Sequence, residues 1–216
     1  MRDDYWAGKP LIEQIYIGFV SDENARAQRL LSGDFDCAQL SSLVANQLNG
    51  QQGLETFVNP SGDYRGITLP ESQPIFQDPN VRIALNLGTD RQTMVDGILA
   101  GHGQAISTPI TPSFGAAYNA DAAFGYNPQQ AAALLDAAGW TPGSDGVRAK
   151  DGMRFSFELM YFAEDTVRRD LAQAFASDMA KLGIEVQLLA VDRPQAKQRL
   201  ATTAFVFGGG DVPYDP

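Results

Sequence analysis

Residues 78–101, DPNVRIALNLGTDRQTMVDGILAG, constrain the fold more than any other stretch of this chain. Asp78 is a good N-cap and Pro79 suits the first helical position, so a helix begins there and turns Val81, Ala84, Leu85 and Gly88 to its buried side. Thr89 or Asp90 restarts the helix. Met94, Val95, Ile98 and Leu99 form a second apolar stripe, and Gly101 can end it in a left-handed conformation. Two short helices meet at a bend, and the pattern alone implies a packed pair with no chemistry of its own.

The rest of the chain alternates strands with helices. Pro10 opens a β-prone run containing Leu11, Ile12, Ile15, Ile17, Phe19 and Val20. Ser21 or Asp22 then caps a helix with Ala25, Leu30 and Leu31 inward, which Gly33 stops. Residues 35–40 are predicted as a second strand, and Ser41 caps a helix through Leu48. Strand, helix, strand, helix is a βαβ-type unit and favours a parallel or mixed sheet covered by helices. A strand over 53–58 leads into the turn cluster Asn59, Pro60, Ser61, Gly62, where the domain junction is placed. Beyond it come a strand at 64–69, a loop, the helical pair, and an extended stretch over 106–113 with two prolines. Asn127 and Pro128 begin a helix bearing Ala131, Leu134, Leu135 and Ala138, which ends at Gly139 and Trp140. Asp-Gly turns at 145–146 and 151–152 predict a hairpin, and 155–161 alternates like a half-buried strand. Asp165 caps a long helix with Leu171, Phe175, Met179 and Leu182 inside. A strand at 184–191, a helix at 194–201 and a strand at 204–207 follow. The predicted class is α/β.

With 216 residues the chain holds one large domain or two small ones. A formal charge of −10 argues against a nucleic-acid backbone as partner. No apolar run reaches membrane-spanning length, and residues 1–4 lack the features of a signal peptide. Cys37 is the single cysteine, which excludes an internal disulfide, and it reads as a small buried residue.

Catalysis finds little support. His102 is the only histidine and lies between two glycines, so neither a histidine triad nor a two-histidine metal site has a partner imidazole. No phosphate-binding loop is present, and no carboxylate pair stands out by spacing. Catalytic residues, metal ligands and cofactors are therefore all expected to be absent. Binding fares better. The last strand runs into Gly208, Gly209 and Gly210, which let a ligand backbone approach closely, and Asp211 follows at the strand end, where open α/β sheets place ligands.

Several segments together resemble the peptide/nickel family (family 5) of extracytoplasmic solute-binding proteins that feed ABC importers. Val81, Arg82, Ala84, Asp90, Arg91, Val95 and Gly101 fall on one family pattern, and residues 126–140, YNPQQAAALLDAAGW, fall on another. Tyr5, Trp6, Gly8, Lys9 and Pro10 match a lead-in, and Leu31, Gly33 and Asp36 match a crossover. The resemblance implies an α/β, periplasmic-binding-protein-like fold of class II, cluster C type, only part of which this chain holds. Residues 1–62 would belong to lobe I, and 63–216 to most of domain III.

It further implies capture of an oligopeptide or similar small solute, with an ABC permease and its ATPase as partners and no nucleic acid. The location would be extracytoplasmic, in the periplasm or as a surface lipoprotein. By the family pattern Asp211 pairs with a ligand ammonium, and Asp215 and Pro216 close the segment. Gly209, Gly210, Tyr214, Tyr161, Phe162 and Tyr64 complete the expected ligand set. Phe162 stands where dipeptide-binding members place an arginine, while Arg168 and Arg169 lie inside the following helix. That departure favours longer peptides, nickel chelates or glycosides over dipeptides. The alternative is a ligand-sensing domain of a transcriptional regulator built on the same fold.

Overall fold

A computed structural model of the chain describes residues 6, 8, 11–51, 53–58, 63–108 and 110–209. The chain divides into two compact units, Met1–Leu40 and Ser41–Pro216.

The first unit is built around helix α1, Glu23–Leu31, whose N-cap Asp22 accepts from the Ala25 amide. The Arg26 side chain reaches the carbonyls of Val20 (2.7 Å), Ser21 (2.9 Å) and Gln39 (3.1 Å), tying the segments before and after the helix to it. The strands expected over 11–20 and 35–40 do not form. A strand exists only when a neighbour takes its N–H and C=O groups, and no described residue pairs with either run. Leu11 is accordingly 100% exposed and Phe19 96%. Cys37 is exposed rather than buried, because no strand forms around it.

In the second unit, helix α2 (Ser42–Leu48) is followed by residues 53–58, which also lack the expected ladder. Strand β1 (Tyr64–Thr68) leads to the helical pair, α3 (Pro79–Leu87) and α4 (Arg91–Ile98). Asp78 and Asp90 cap them by accepting from the amides of Asn80 (2.8 Å) and Thr93 (3.1 Å). Ala100, directly after the cap Leu99, already turns left-handed at φ +51°, and Gly101 continues at φ +79°. Helix α5 (Pro128–Ala137) starts at its cap Asn127 and packs on α3. Two tight turns then shape a small sheet of β2 (Thr141–Pro142), β3 (Arg148–Lys150) and β4 (Met153–Arg154).

The main sheet contains β5 (Ser156–Phe162), β6 (Glu185–Val191), β7 (Ala204–Gly209) and β1, in the order β1-β7-β5-β6. β5 runs parallel to both β6 and β7, whereas β1 is antiparallel to β7. Helix α6 (Thr166–Lys181) connects β5 to β6, and α7 (Arg193–Arg199) connects β6 to β7. Alternation along β5 divides the core between the two faces. Phe157 and Leu159 join Phe175 and Met179 of α6, Val81 and Leu85 of α3, and Ala131 and Leu135 of α5. On the other face Met160 packs with Phe205, Val191 and Ala196 of α7. Two layers of helix thus enclose a mixed sheet, as the α/β pattern implies.

Candidate functional site

The topology collects chemistry at one edge of the main sheet. Parallel β5, β6 and β7 end on the same side, where α6 and α7 begin, and antiparallel β1 brings its first residues back there. Tyr64 lies opposite Gly209, and Arg65 opposite Gly208. The connections leaving β5 and β6 pass to helices on opposite faces, the arrangement that opens a crevice at strand carboxyl ends.

One face of that edge is aromatic. Phe162 meets Phe205 edge-on at 5.1 Å between ring centroids, and two residues along the same strand Phe207 meets Tyr64 at 5.5 Å. Adjacent strand residues point to opposite faces, so Tyr161 does not join this cluster and instead packs against the α6 core. Gly66 allows the Phe207 ring to lie flat beside β1, since a Cβ there would come within 2.9 Å of it.

Two arginines cover the Phe162 ring. The guanidinium carbon of Arg168 lies 5.1 Å from the ring centroid and that of Arg193 4.9 Å, both in cation–π range. Arg168 lies inside α6, as expected; helical side chains lean toward the helix N-terminus, so from the first turn it extends back over the strand ends. Its Nη1 donates to Asp165, the α6 cap, which also accepts from the Arg168 amide at 2.9 Å. The lean of a first-turn side chain was the signal that sequence reasoning could have used.

Gly208 is the point on which the cations converge. A Cβ there would lie 2.6 Å from Arg168 Nη2 and 2.8 Å from Arg65 Nη1, so only a residue without a side chain leaves both guanidinium groups their places. Arg65 Nη1 donates to Asp63 and, at 3.3 Å, to the Tyr64 carbonyl. Arg168 Nε is enclosed and has no acceptor among the described residues. Glu164 lies 4.0 Å from Arg193, and Asp192 is occupied in capping α7.

Of the expected ligand residues, Tyr64, Phe162 and Gly209 therefore share this edge, and Tyr161 lies on the sheet's other face. Gly210, Asp211 and Tyr214 lie outside the described residues. His102 is exposed, with Nε2 3.2 Å from Asn46 Oδ1. No cluster of three or more His, Cys, Asp or Glu able to hold a metal occurs among the described residues.

A cavity of about 220 Å³ lies elsewhere, between the start of α4 and the 104–126 segment, lined by Arg91, Gln104, Ser107, Tyr118, Phe124 and Tyr126 among others. None of the strand-edge residues lines it. Arg91 donates to the Asn86 carbonyl (2.9 Å) and Asn86 Oδ1 (2.7 Å), closing the end of α3, and burial lowers its pKa. The guanidinium is thus explained by helix capping.

Aromatic and cationic side chains thus gather at the strand ends of an open α/β sheet. The chain belongs to the family described as Bacterial extracellular solute-binding proteins, family 5 Middle, which it matches over residues 1–216. It is 38% identical over 208 residues to Protein XP55 of Streptomyces lividans, covering 96% of this chain and 38% of that protein. To the oligopeptide-binding protein AppA of Bacillus subtilis it is 30% identical over 194 residues, covering 88% of this chain and 36% of AppA. The crystal structure of NikA from Brucella suis in complex with Fe(III)-EDTA superposes with a TM-score of 0.86 at 28% identity, covering all of this chain and 45% of NikA. The chain spans less than half the length of these relatives. No helix among the described residues is long and apolar enough to cross a membrane.

Proposed function

We propose that the whole protein captures an oligopeptide or similar small solute between two lobes and delivers it to an ABC permease and its ATPase, without catalysing a reaction. Residues 1–62 belong to lobe I in this reading and 63–216 to most of domain III, with the carboxyl edge of the main sheet as one wall of the cleft. The protein works outside the cytoplasm, in the periplasm or as a surface lipoprotein. Tyr64, Phe162, Gly209, Gly210, Asp211 and Tyr214 form the ligand set, with Asp211 pairing a solute ammonium, while Tyr161, on the other face, does not belong to it. The reading rests on the gathering of Phe162, Phe205, Phe207, Tyr64 and three arginines at the strand ends. A relative named for oligopeptide binding, and one named as a nickel-binding periplasmic protein, support the solute class. Capture is a population shift in which the solute stabilises the closed form by touching both walls. Native mass spectrometry of the whole protein tests the reading. A bound mass that dissociates as a peptide or a nickel chelate is expected. A protein that carries no solute, but turns over substrates in a broad hydrolase screen, contradicts it.

A further inference from the structure

We propose that the cavity between the start of α4 and the 104–126 segment is a second binding site, and that it takes a small organic acid whose carboxylate meets Arg91. The site is separate from the strand edge and does not depend on what binds there.

The state of Arg91 carries the inference. Its Nη1 donates to the carbonyls of Asn86 (2.9 Å) and Thr89 (3.4 Å), and its Nη2 donates to Asn86 Oδ1 (2.7 Å). All three acceptors are neutral, and no carboxylate pairs with this guanidinium among the described residues. A cation drawn partly out of water without a counter-charge is held at a cost, and burial lowers its pKa accordingly. Helix capping uses Nη1 and Nη2 and leaves Nε without an acceptor. Nor is Nε sealed off, since the one enclosed side-chain nitrogen or oxygen without a partner among the described residues is Arg168 Nε. Arg91 lines the cavity, and its Nε is the charged donor there left for an entering acceptor.

The rest of the lining suits the same ligand. Tyr118 and Gln104 also face the cavity, and neither side chain has a hydrogen-bond partner among the described residues. Both can donate to a carboxylate. Asp90 is a lining residue too, but the Thr93 amide (3.1 Å) and hydroxyl (2.9 Å) engage its two oxygens. Ile106 and Phe124 supply apolar surface. At about 220 Å³ the space falls below the ~300–1,000 Å³ of drug-sized pockets, so it is too small for an oligopeptide and fits a monocarboxylate with a compact apolar body.

The test titrates benzoate, and benzamide as its neutral isostere, into the whole protein by isothermal calorimetry, with thermal melts to check that each variant is folded. Benzoate is expected to bind saturably and at least tenfold more tightly than benzamide. R91Q removes that preference. Y118F and Q104A each weaken benzoate several-fold and leave the melt unchanged, because neither side chain is bonded to the rest of the fold. Hydrogen–deuterium exchange with benzoate shows protection at 89–92 and 104–126. Equal affinity for acid and amide overturns the carboxylate assignment, and so does the absence of saturable binding by either. Benzoate binding untouched by Y118F and Q104A, or protection at the strand ends alone, puts the acid elsewhere and overturns the site. Should R91Q fail to fold, Y118F and Q104A decide. A failure here leaves the solute reading intact, because the strand edge shares none of these residues.

Discussion

At Gly88 the chain leaves no room for a side chain. A Cβ there would sit 2.4 Å from Leu182 Cδ1 and 3.2 Å from the Ala84 carbonyl, so the turn between α3 and α4 rests directly on the end of α6. Overpacking of this kind costs about 1–3 kcal/mol, and G88A is expected to lower the urea midpoint accordingly. L182A makes the missing space but leaves a cavity of its own, so the G88A/L182A double variant should lose less than the sum of the two singles. Strict additivity would show that the two residues do not press on each other. Sequence patterning placed Gly88 on the buried side of its helix but could not say why, because its neighbour lies 94 positions away. The surroundings of Arg168 are hidden from the sequence for a related reason. Its helix was evident, whereas its position above Gly208 depends on which strand lies beside β5.

Among elements, β4 is joined to the main sheet through Arg154, whose Nε lies 3.0 Å from Glu185 at the start of β6 while Nη1 meets Asp145 in the turn before β3. The hydrogen bonds from Arg154 hold both carboxyl groups below their ordinary range, and the two carboxylates raise the arginine in turn. A carboxylate depressed in the folded state contributes stability above its unfolded pKa, and the contribution disappears as pH falls through the folded value. R154Q should therefore melt below the wild type at neutral pH, by a small margin because all three groups are exposed. The gap should narrow in acid, as pH falls below the ordinary carboxylate range and both groups take up protons. A gap unchanged between neutral and acid pH would show that Arg154 acts by packing. At this scale the sequence was most informative after residue 63. Caps at Asp78, Asp90, Asn127 and Asp165 and the strands 156–162, 185–191 and 204–209 stand within a residue or two of their predicted places, because caps and alternation are local signals. The runs at 11–20, 35–40 and 53–58 are equally β-prone and form no strand, since propensity cannot supply a neighbour.

For the whole molecule, the central claim is that solute binds at the carboxyl edge of the main sheet and that this edge is one wall of two. Residues 1–216 alone should then bind weakly. Losing ~4 kcal/mol of contacts from the opposite wall weakens binding about a thousandfold. Isothermal titration of one peptide into the whole protein and into this chain, with circular dichroism confirming that the chain is folded, measures the difference. Equal affinities would remove the need for a second wall. The edge itself was only partly legible. Tyr64, Phe162 and Gly209 were named from the sequence, but the arginines beside them depend on β5 and β7 ending where β1 begins. Hydrogen–deuterium exchange of the whole protein, with and without a peptide it retains, tests the location most directly. Protection is expected at 63–66, 162–168, 191–194 and 207–209. Protection confined to 89–92 and 104–126, around the separate cavity, with none at the strand ends, would contradict it.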